Sequence, residues 1–263
     1  MAFRFWQDLA SPEFGALDTG RTVTVLPLCA TEQHGPHLPT GTDTMIAHGL
    51  TGEVAGRFKG DFDLVFLPAL SIGASQEHAR FAGTISVSTA ALIEQISAIG
   101  GQVAASGLKK LVLVSSHGGN VAAMSAAALA CREQHGLLAV TLTWSRLGLP
   151  AGVVDTDERA LGVHGGFVET SLMLCFRSDL VQMDKAADFA SLQSDLAGRY
   201  KHLRAHGPVG FGWLAGDLNP SGTVGDAASA NAAAGRDISA HQADAFITLA
   251  GEVSVFDLAS TLT

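Results

Sequence analysis

Two short clusters of ligand-type side chains stand out in the sequence. The first holds Glu32, His34 and Asp43 within residues 31–43, and the second holds His117 followed by two glycines. Carboxylate oxygens and imidazole nitrogens are the ligands that bind Zn²⁺, Mn²⁺ or Fe²⁺ in proteins. Each cluster follows an apolar run typical of a strand, so the spacing predicts a metallohydrolase site at the strand ends.

The spacing within the first cluster suits a shared cation. Glu32 and His34 are two residues apart, so in an extended segment both side chains point the same way. Asp43 can return a short carboxylate to the same point, and His117 would come from a neighbouring strand end. The alternative is a solvated polar loop in which Asp43 caps the following helix. Cysteine is absent from the cluster, and open sites built without it are typical of catalytic metal centres.

Three further groups could take part in chemistry. Gly118 and Gly119 allow close backbone approach, and their amides could hold a developing oxyanion; a plain strand-to-helix connection or a phosphate-binding turn is the alternative. Ser75 and His78 lie in a third polar loop, with Glu77 between them, and are predicted to contact substrate.

His164 and Glu169 form the last pair. They are five residues apart, which is a poor spacing for sharing a helix face, so His164 is expected to precede the helix that carries Glu169. Glu169 could also merely complement the helix dipole.

The periodicity of the chain predicts alternating strands and helices. The predicted strands are Thr22–Leu28, Leu64–Leu70, Leu111–Val114 and Leu138–Thr143. The predicted helices are Thr44–Phe58, one beginning near Ser88, Val121–Gln134, Phe167–Phe176, and Ala227–Ala250 with a break near Gly235. This order predicts an α/β fold, a three-layer sandwich with a mainly parallel sheet covered by helices on both faces. No long linker interrupts it, so residues 1–263 are expected to form a single domain.

The composition of the chain excludes several classes of protein and of binding partner. The chain has 263 residues, 47% apolar and 16% charged, which excludes a disordered protein. Its net charge is −9 with no basic cluster beyond Lys109-Lys110, so no nucleic-acid partner is expected. No apolar run approaches the about 20 residues that span a bilayer, and the first residues do not resemble a secretory signal; we therefore expect no membrane partner and a cytoplasmic location. A dinucleotide-binding protein is disfavoured because Gly-x-Gly-x-x-Gly is missing.

These motifs together resemble the creatininase (creatinine amidohydrolase) family. The matching blocks are Thr31-Glu32-Gln33-His34-Gly35-Pro36-His37-Leu38-Pro39 with Thr42-Asp43-Thr44, Ser75 with Glu77-His78 and Phe81-Ala82-Gly83-Thr84-Ile85-Ser86, Ser116-His117-Gly118-Gly119-Asn120, His164-Gly165-Gly166-Phe167-Val168-Glu169-Thr170-Ser171, and Ser221-Gly222-Thr223-Val224-Gly225-Asp226. They occur in order and cover most of the chain.

The resemblance implies a metal-dependent amidohydrolase that cleaves a C–N amide bond with a metal-activated water. The substrate would be a cyclic amide, a formamide or a peptide-like molecule, small or short in each case. One or two divalent ions are implied, zinc first and manganese or iron as alternatives. The resemblance also implies a homo-oligomer, often a hexamer.

Carried over position by position, the resemblance assigns roles to named residues. Glu32, His34, Asp43 and His117 would be metal ligands, with Asp43 bridging two ions. Glu169 would be a ligand or a base, and His164 would shuttle protons.

One position departs from part of the family, because creatinine-cleaving members carry a glutamate where this chain has Gly119. The alternatives are a mycofactocin-precursor-type peptidase, a true creatinine amidohydrolase, a lyase or deformylase, and a catalytically inactive metal-binding scaffold.

Overall fold

A parallel sheet lies at the centre of the protein. The computed structural model describes residues 2–257, and within them the sheet has five strands in the order β1-β3-β2-β4-β5. The strands are β1 (Phe3–Phe5), β2 (Val23–Leu28), β3 (Leu64–Phe66), β4 (Lys110–Ser115) and β5 (Leu138–Thr143). Every neighbouring pair is parallel. Two short strands, β6 (Asp188–Phe189) and β7 (Gly225–Asp226), form a separate antiparallel pair.

Helices cover both faces of the sheet. The helices of the described residues are α1 (Thr42–Arg57), α2 (Thr89–Ala105), α3 (Val121–His135), α4 (Thr156–Leu161), α5 (Phe167–Phe176), α6 (Leu192–Arg199), α7 (Ala215–Leu218) and α8 (Ala232–Val255), of which α1, α2, α3, α5 and α8 pack on the sheet. The side chains of β4 alternate between two cores: Val112 packs with α1, α5 and α8, whereas Leu113 packs with α2 and α3. The predicted three-layer α/β sandwich is therefore confirmed.

Several predicted element bounds match the structure, and others do not. Strand β5 and helix α5 have the predicted bounds. Helix α1 begins at Thr42 instead of Thr44, so Asp43 lies inside its first turn and does not cap it.

The predicted break near Gly235 is wrong. Gly235 lies inside the continuous helix α8, where a side chain would collide with the carbonyl of Ser171 in α5. The glycine therefore serves close helix packing. Among residues 2–257, no helix combines the length and apolar character required to cross a bilayer.

The sheet register brings the two predicted clusters together. Leu28, the last residue of β2, pairs with Ser115, the last residue of β4. The chain segments that carry Glu32 and His117 therefore leave the sheet side by side at its carboxyl edge. This is the edge at which parallel α/β sheets collect ligands.

Candidate metal centre

Five predicted side chains form one connected cluster above this edge. Asp43 lies between two histidines, with Oδ1 3.6 Å from His34 Nε2 and Oδ2 3.9 Å from His117 Nδ1. His117 Nδ1 is 3.0 Å from Glu32 Oε1, and His34 Nε2 is 3.8 Å from Glu169 Oε2. Four of the five are buried, and the Glu169 side chain is 22% exposed. Solvent therefore reaches the cluster at Glu169, and the other four side chains are enclosed by protein.

Backbone carbonyls orient three of the imidazoles. His34 donates from Nδ1 to the carbonyl of Glu32 at 3.0 Å, His117 from Nε2 to that of Ala74 at 3.1 Å, and His164 from Nε2 to that of Gln33 at 2.7 Å. The other nitrogen of each ring faces a carboxylate, and in the neutral form of the ring this nitrogen carries the lone pair. Histidine ligands of metal ions are commonly oriented in this way.

Several buried side-chain atoms of the cluster have no hydrogen-bond partner on any residue that the structure describes, which indicates whether the cluster fits a cation. Within residues 2–257, both carboxylate oxygens of Glu32, His34 Nε2 and Asp43 Oδ2 lack a hydrogen-bond partner. The 3.0 Å approach of His117 to Glu32 is thus a close electrostatic contact without hydrogen-bond alignment. Unpaired buried acceptors that face one another are costly unless a cation lies between them.

The candidate ligand atoms are close enough to share ions. In the described part of the chain, three groups have ligand atoms within 4.8 Å of one another: His34, Asp43 and Glu169; Glu32, Glu77 and His117; and Glu32, His34 and His164. Bonds of about 2.0–2.2 Å to each oxygen or nitrogen require separations of this order. The donor set therefore fits divalent ions, and Asp43, which belongs to the first group, also faces His117 of the second group at 3.9 Å.

The electrostatics also favour positive charge at this point. Burial acts to lower the pKa of His34, but Asp43 and Glu169 outweigh it and raise the pKa to about 9. His117 shows the same balance, with Glu32 as the main opposing charge, and its pKa rises to about 10. Burial raises the pKa of Asp43 to about 7, against the effect of His34. These carboxylates stabilise a nearby cation, whether it is an imidazolium or a divalent metal ion.

Glu169 and His164 lie where the cluster opens to solvent. Glu169 is in the first turn of α5, and its Oε2 accepts the backbone N–H of Gly165 at 2.6 Å. The His164 ring lies between two other imidazoles that are tilted relative to it, with centroids 4.3 Å from His34 and 4.2 Å from His78. His164 Nδ1 lies 3.6 Å from Glu32 Oε1. Both residues thus adjoin the candidate ligands.

A cavity of about 440 Å³ adjoins this opening. It is lined by Gly118, His164 and Glu169 of the motifs described above and also by Trp144 and Leu149. A substrate group in the cavity would therefore contact an apolar surface while its reacting atoms approach Glu169.

The predicted substrate contacts divide into two sets. Gly118 lines the cavity. Ser75 and His78 are buried behind the candidate ligands, with Ser75 Oγ 3.4 Å from His117 Nε2 and His78 Nε2 3.7 Å from Glu32 Oε1. Gly119 packs in the same place, against His117 and Glu77.

The structure adds two supporting residues that spacing does not single out. Gln33 donates from Nε2 to His78 Nδ1 at 2.8 Å and to the carbonyl of Gly222 at 2.6 Å. Asn120 donates to the carbonyl of Cys29 at 3.0 Å and accepts from the N–H of Ala74 at 2.9 Å. The only available sequence signal is their position beside the ligand-type residues, within the same two motifs.

Known sequences match most of the chain. The family model described as "Creatininase: Creatinine amidohydrolase" matches residues 7–250. A mycofactocin precursor peptide peptidase of Mycolicibacterium smegmatis is 36% identical over 218 residues, which cover 82% of this chain and 79% of that protein. A creatinine amidohydrolase of Pseudomonas putida is 32% identical over 185 residues, which cover 64% of this chain and 70% of that protein.

Solved structures share the fold. A structure described as "Creatininase Mn" superposes with a TM-score of 0.76 at 25% identity, covering 94% of this chain and 97% of that one. A creatininase mutant described as of the Zn-Zn type gives the same TM-score, identity and coverage. Those two descriptions name manganese and a pair of zinc ions in proteins of closely similar architecture.

Proposed function

The chain belongs to the creatininase family and is a metal-dependent amidohydrolase, and we propose that it cleaves an amide bond of a peptide-like substrate at the cluster described above. In this proposal the metal ligands are Glu32, His34, Asp43, His117 and Glu169. The single observation that carries it is the convergence of these side chains, with buried atoms of Glu32, His34 and Asp43 that have no hydrogen-bond partner in the part of the chain that the structure describes.

Two ion positions follow from the directions of the ligand atoms. His34, Asp43 and Glu169 would hold one ion at the open edge, and Glu32, Asp43 and His117 would hold the other deeper in the protein. Zinc and manganese are the first candidates, since relatives of the same fold are described with them, and iron suits the same ligand types. Divalent ions bound here would lower the pKa of a water molecule and polarise the scissile carbonyl.

The remaining steps fall to side chains at the opening. Glu169 borders the cavity and is held by the N–H of Gly165, so its second carboxylate oxygen can accept a proton from water or release one to the leaving nitrogen. His164 also borders the cavity, and its Nδ1 lone pair is available because Nε2 donates to Gln33. We propose that it relays the proton. Gly118 lines the cavity, and we propose the amides of Gly118 and Gly119 as donors to a developing oxyanion.

Two observations support a peptide-like substrate over creatinine. The peptidase relative is more identical to this chain and covers more of it than the creatinine amidohydrolase does. The cavity of about 440 Å³ is also far larger than a single small ring needs, and its walls are partly apolar. Substrate pockets of that kind hold extended organic groups.

A substrate panel tests the proposal. The metal-loaded protein would be incubated with short peptides of varied carboxyl-terminal residues, with formamides and with creatinine, and the products would be identified by mass spectrometry. We expect cleavage of peptides, lost in the isosteric variant Asp43→Asn. Faster turnover of creatinine would overturn the peptide assignment, and stoichiometric metal without turnover of any compound would support an inactive metal-binding scaffold.

We also propose that the protein is a homo-oligomer, hexameric as the family resemblance implies, and that it works in the cytoplasm as one domain. Light scattering after size-exclusion chromatography measures the subunit count. Cell fractionation tests the location, and limited proteolysis tests the single domain.

A further inference from the structure

Gly119 leaves a space that a carboxylate from another loop fills. Gly119 follows β4 in a short 3₁₀ turn, Gly118–Asn120. A Cβ atom at this position would overlap His117 Nε2, Glu77 Oε1 and the carbonyl oxygen of Ala74. Glu77 belongs to a different segment, the 3₁₀ turn Gln76–His78. The absence of a side chain at position 119 is thus what lets Glu77 approach His117.

The two nitrogens of His117 face different environments. Nδ1 faces Glu32 at 3.0 Å and Asp43 at 3.9 Å, on the side where the proposed deeper ion would lie. Nε2 faces the carbonyl of Ala74 at 3.1 Å and Glu77 Oε1 at 3.5 Å. Glu77 therefore lies on the N–H side of the ring, away from the proposed ion.

We propose that Glu77 is a positioning residue for the metal centre: its carboxylate holds the N–H edge of His117 and thereby directs Nδ1 at the ion held with Glu32 and Asp43. This inference rests on the proposed function, because it assigns Glu77 a part in that metal centre. A carboxylate beside the N–H of a metal-bound imidazole fixes the ring and makes the other nitrogen a stronger donor.

The contact of Glu77 with Nε2 favours positioning over direct ligation. The two nitrogens of an imidazole point in diverging directions, so an ion on the Nδ1 lone pair lies on the far side of the ring from a group facing Nε2. Because Glu32, Glu77 and His117 have ligand atoms within 4.8 Å of one another, direct ligation by Glu77 is the competing role, and the metal titration separates the two. The Glu77 side chain is only 19% exposed, and Gly119 provides the room it occupies.

The test measures metal affinity, independently of turnover. We would titrate three metal-free proteins, the wild type, Glu77→Gln and Glu77→Ala, with Mn²⁺ and Zn²⁺ in competition with a chelator. Absorption spectra of the Co²⁺-loaded proteins would report the coordination of each ion. Glu94→Gln is the matched control, because Glu94 is an exposed residue of α2. We expect both Glu77 variants to bind one ion about 10–100-fold more weakly, which is the usual effect of removing a group that contacts a metal ligand. The ion held by His34, Asp43 and Glu169 should keep its affinity.

Three outcomes would overturn the inference. Affinities equal to wild type for both ions would show that Glu77 does not position His117. Complete loss of one ion at saturating metal would make Glu77 a ligand. A large fall in the melting temperature of metal-free Glu77→Gln would indicate a purely structural role. Failure of the proposed function is a separate result, since the wild type would then bind no metal or cleave no amide in the same series.

Discussion

The carboxylate of Asp43 faces two histidines with different oxygens: Oδ1 lies 3.6 Å from His34 Nε2, and Oδ2 lies 3.9 Å from His117 Nδ1. A carboxylate in this arrangement can bridge two ions. Its position follows from helix α1, which begins at Thr42 and places Asp43 in its buried first turn.

Asp43→Asn tests this bridge with almost no change in shape. An amide has one acceptor oxygen and one NH₂ group, so it cannot offer an anionic oxygen to both ions. We expect loss of metal and a fall in amidase activity of more than about 100-fold. This exceeds the usual effect of losing a residue that only contacts a metal ligand. Metal content by mass spectrometry and the rate on the best substrate measure the two effects. Asp244→Asn, at an exposed ion pair with Arg57, is the control, and a variant with wild-type metal and rate would disprove the bridge.

Removal of metal should destabilise the protein. The buried carboxylate oxygens of Glu32 and Oδ2 of Asp43, which have no hydrogen-bond partner among the described residues, then lose the compensating charge of the ion. An ion that binds only the folded state at 100 times its dissociation constant adds about 2.7 kcal/mol to the free energy of unfolding. We expect chelation to lower the melting temperature and abolish activity, and Mn²⁺ or Zn²⁺ to restore both in a saturable way. A melting temperature that does not respond to chelator or metal would contradict this.

Neighbouring glycines offer a matched pair of substitutions. A Cβ at Gly119 would strike His117, Glu77 and the backbone of Ala74, whereas a Cβ at Gly118 meets nothing within 4 Å. We expect Gly119→Ala to cost roughly 1–3 kcal/mol of stability, the usual effect of overpacking, and to weaken metal binding because His117 must move. Gly118→Ala should keep wild-type stability and metal affinity, measured by urea unfolding and metal titration. Equal effects of the two substitutions would show that the space at Gly119 has no special role.

Glu158 supports the helix that carries Glu169. Its carboxylate accepts the N–H of Phe167, the first residue of α5, at 2.8 Å and the N–H of Asp226 at 2.8 Å. Burial raises its pKa, and the two N–H donors only partly oppose this shift. A carboxyl group whose pKa is raised by folding gives its full contribution to stability below the unfolded value, and that contribution is lost as pH rises through the folded value.

Glu158→Gln should therefore change both the size and the pH dependence of stability. The amide can satisfy only one of the two N–H donors, so we expect a loss of about 1–3 kcal/mol. The wild type should lose stability relative to the variant as pH rises through the window that begins at the ordinary glutamate pKa. Urea unfolding at a series of pH values measures both effects. A difference between the two proteins that does not vary with pH would refute the titration of Glu158.

Much of the scaffold could be predicted from local patterns. Near-continuous apolar runs indicate buried strands, and α2 begins at the predicted place, where Ser88 caps it by accepting the N–H of Ala91. Gly235 was misread because its role depends on a carbonyl of α5 that is distant in sequence. Strand β1 was not predicted because three residues carry too little periodicity.

The sequence by itself determined which side chains could bind metal and at which strand ends they lie, because residue type and hydrophobic period are local properties. Only the tertiary structure decided which nitrogen of each imidazole faces the carboxylates, since carbonyls of Glu32, Gln33 and Ala74 orient the rings. It also decided that Glu77 reaches His117 across the space at Gly119. These contacts join separate segments of the chain, and their geometry depends on how the strands and helices pack.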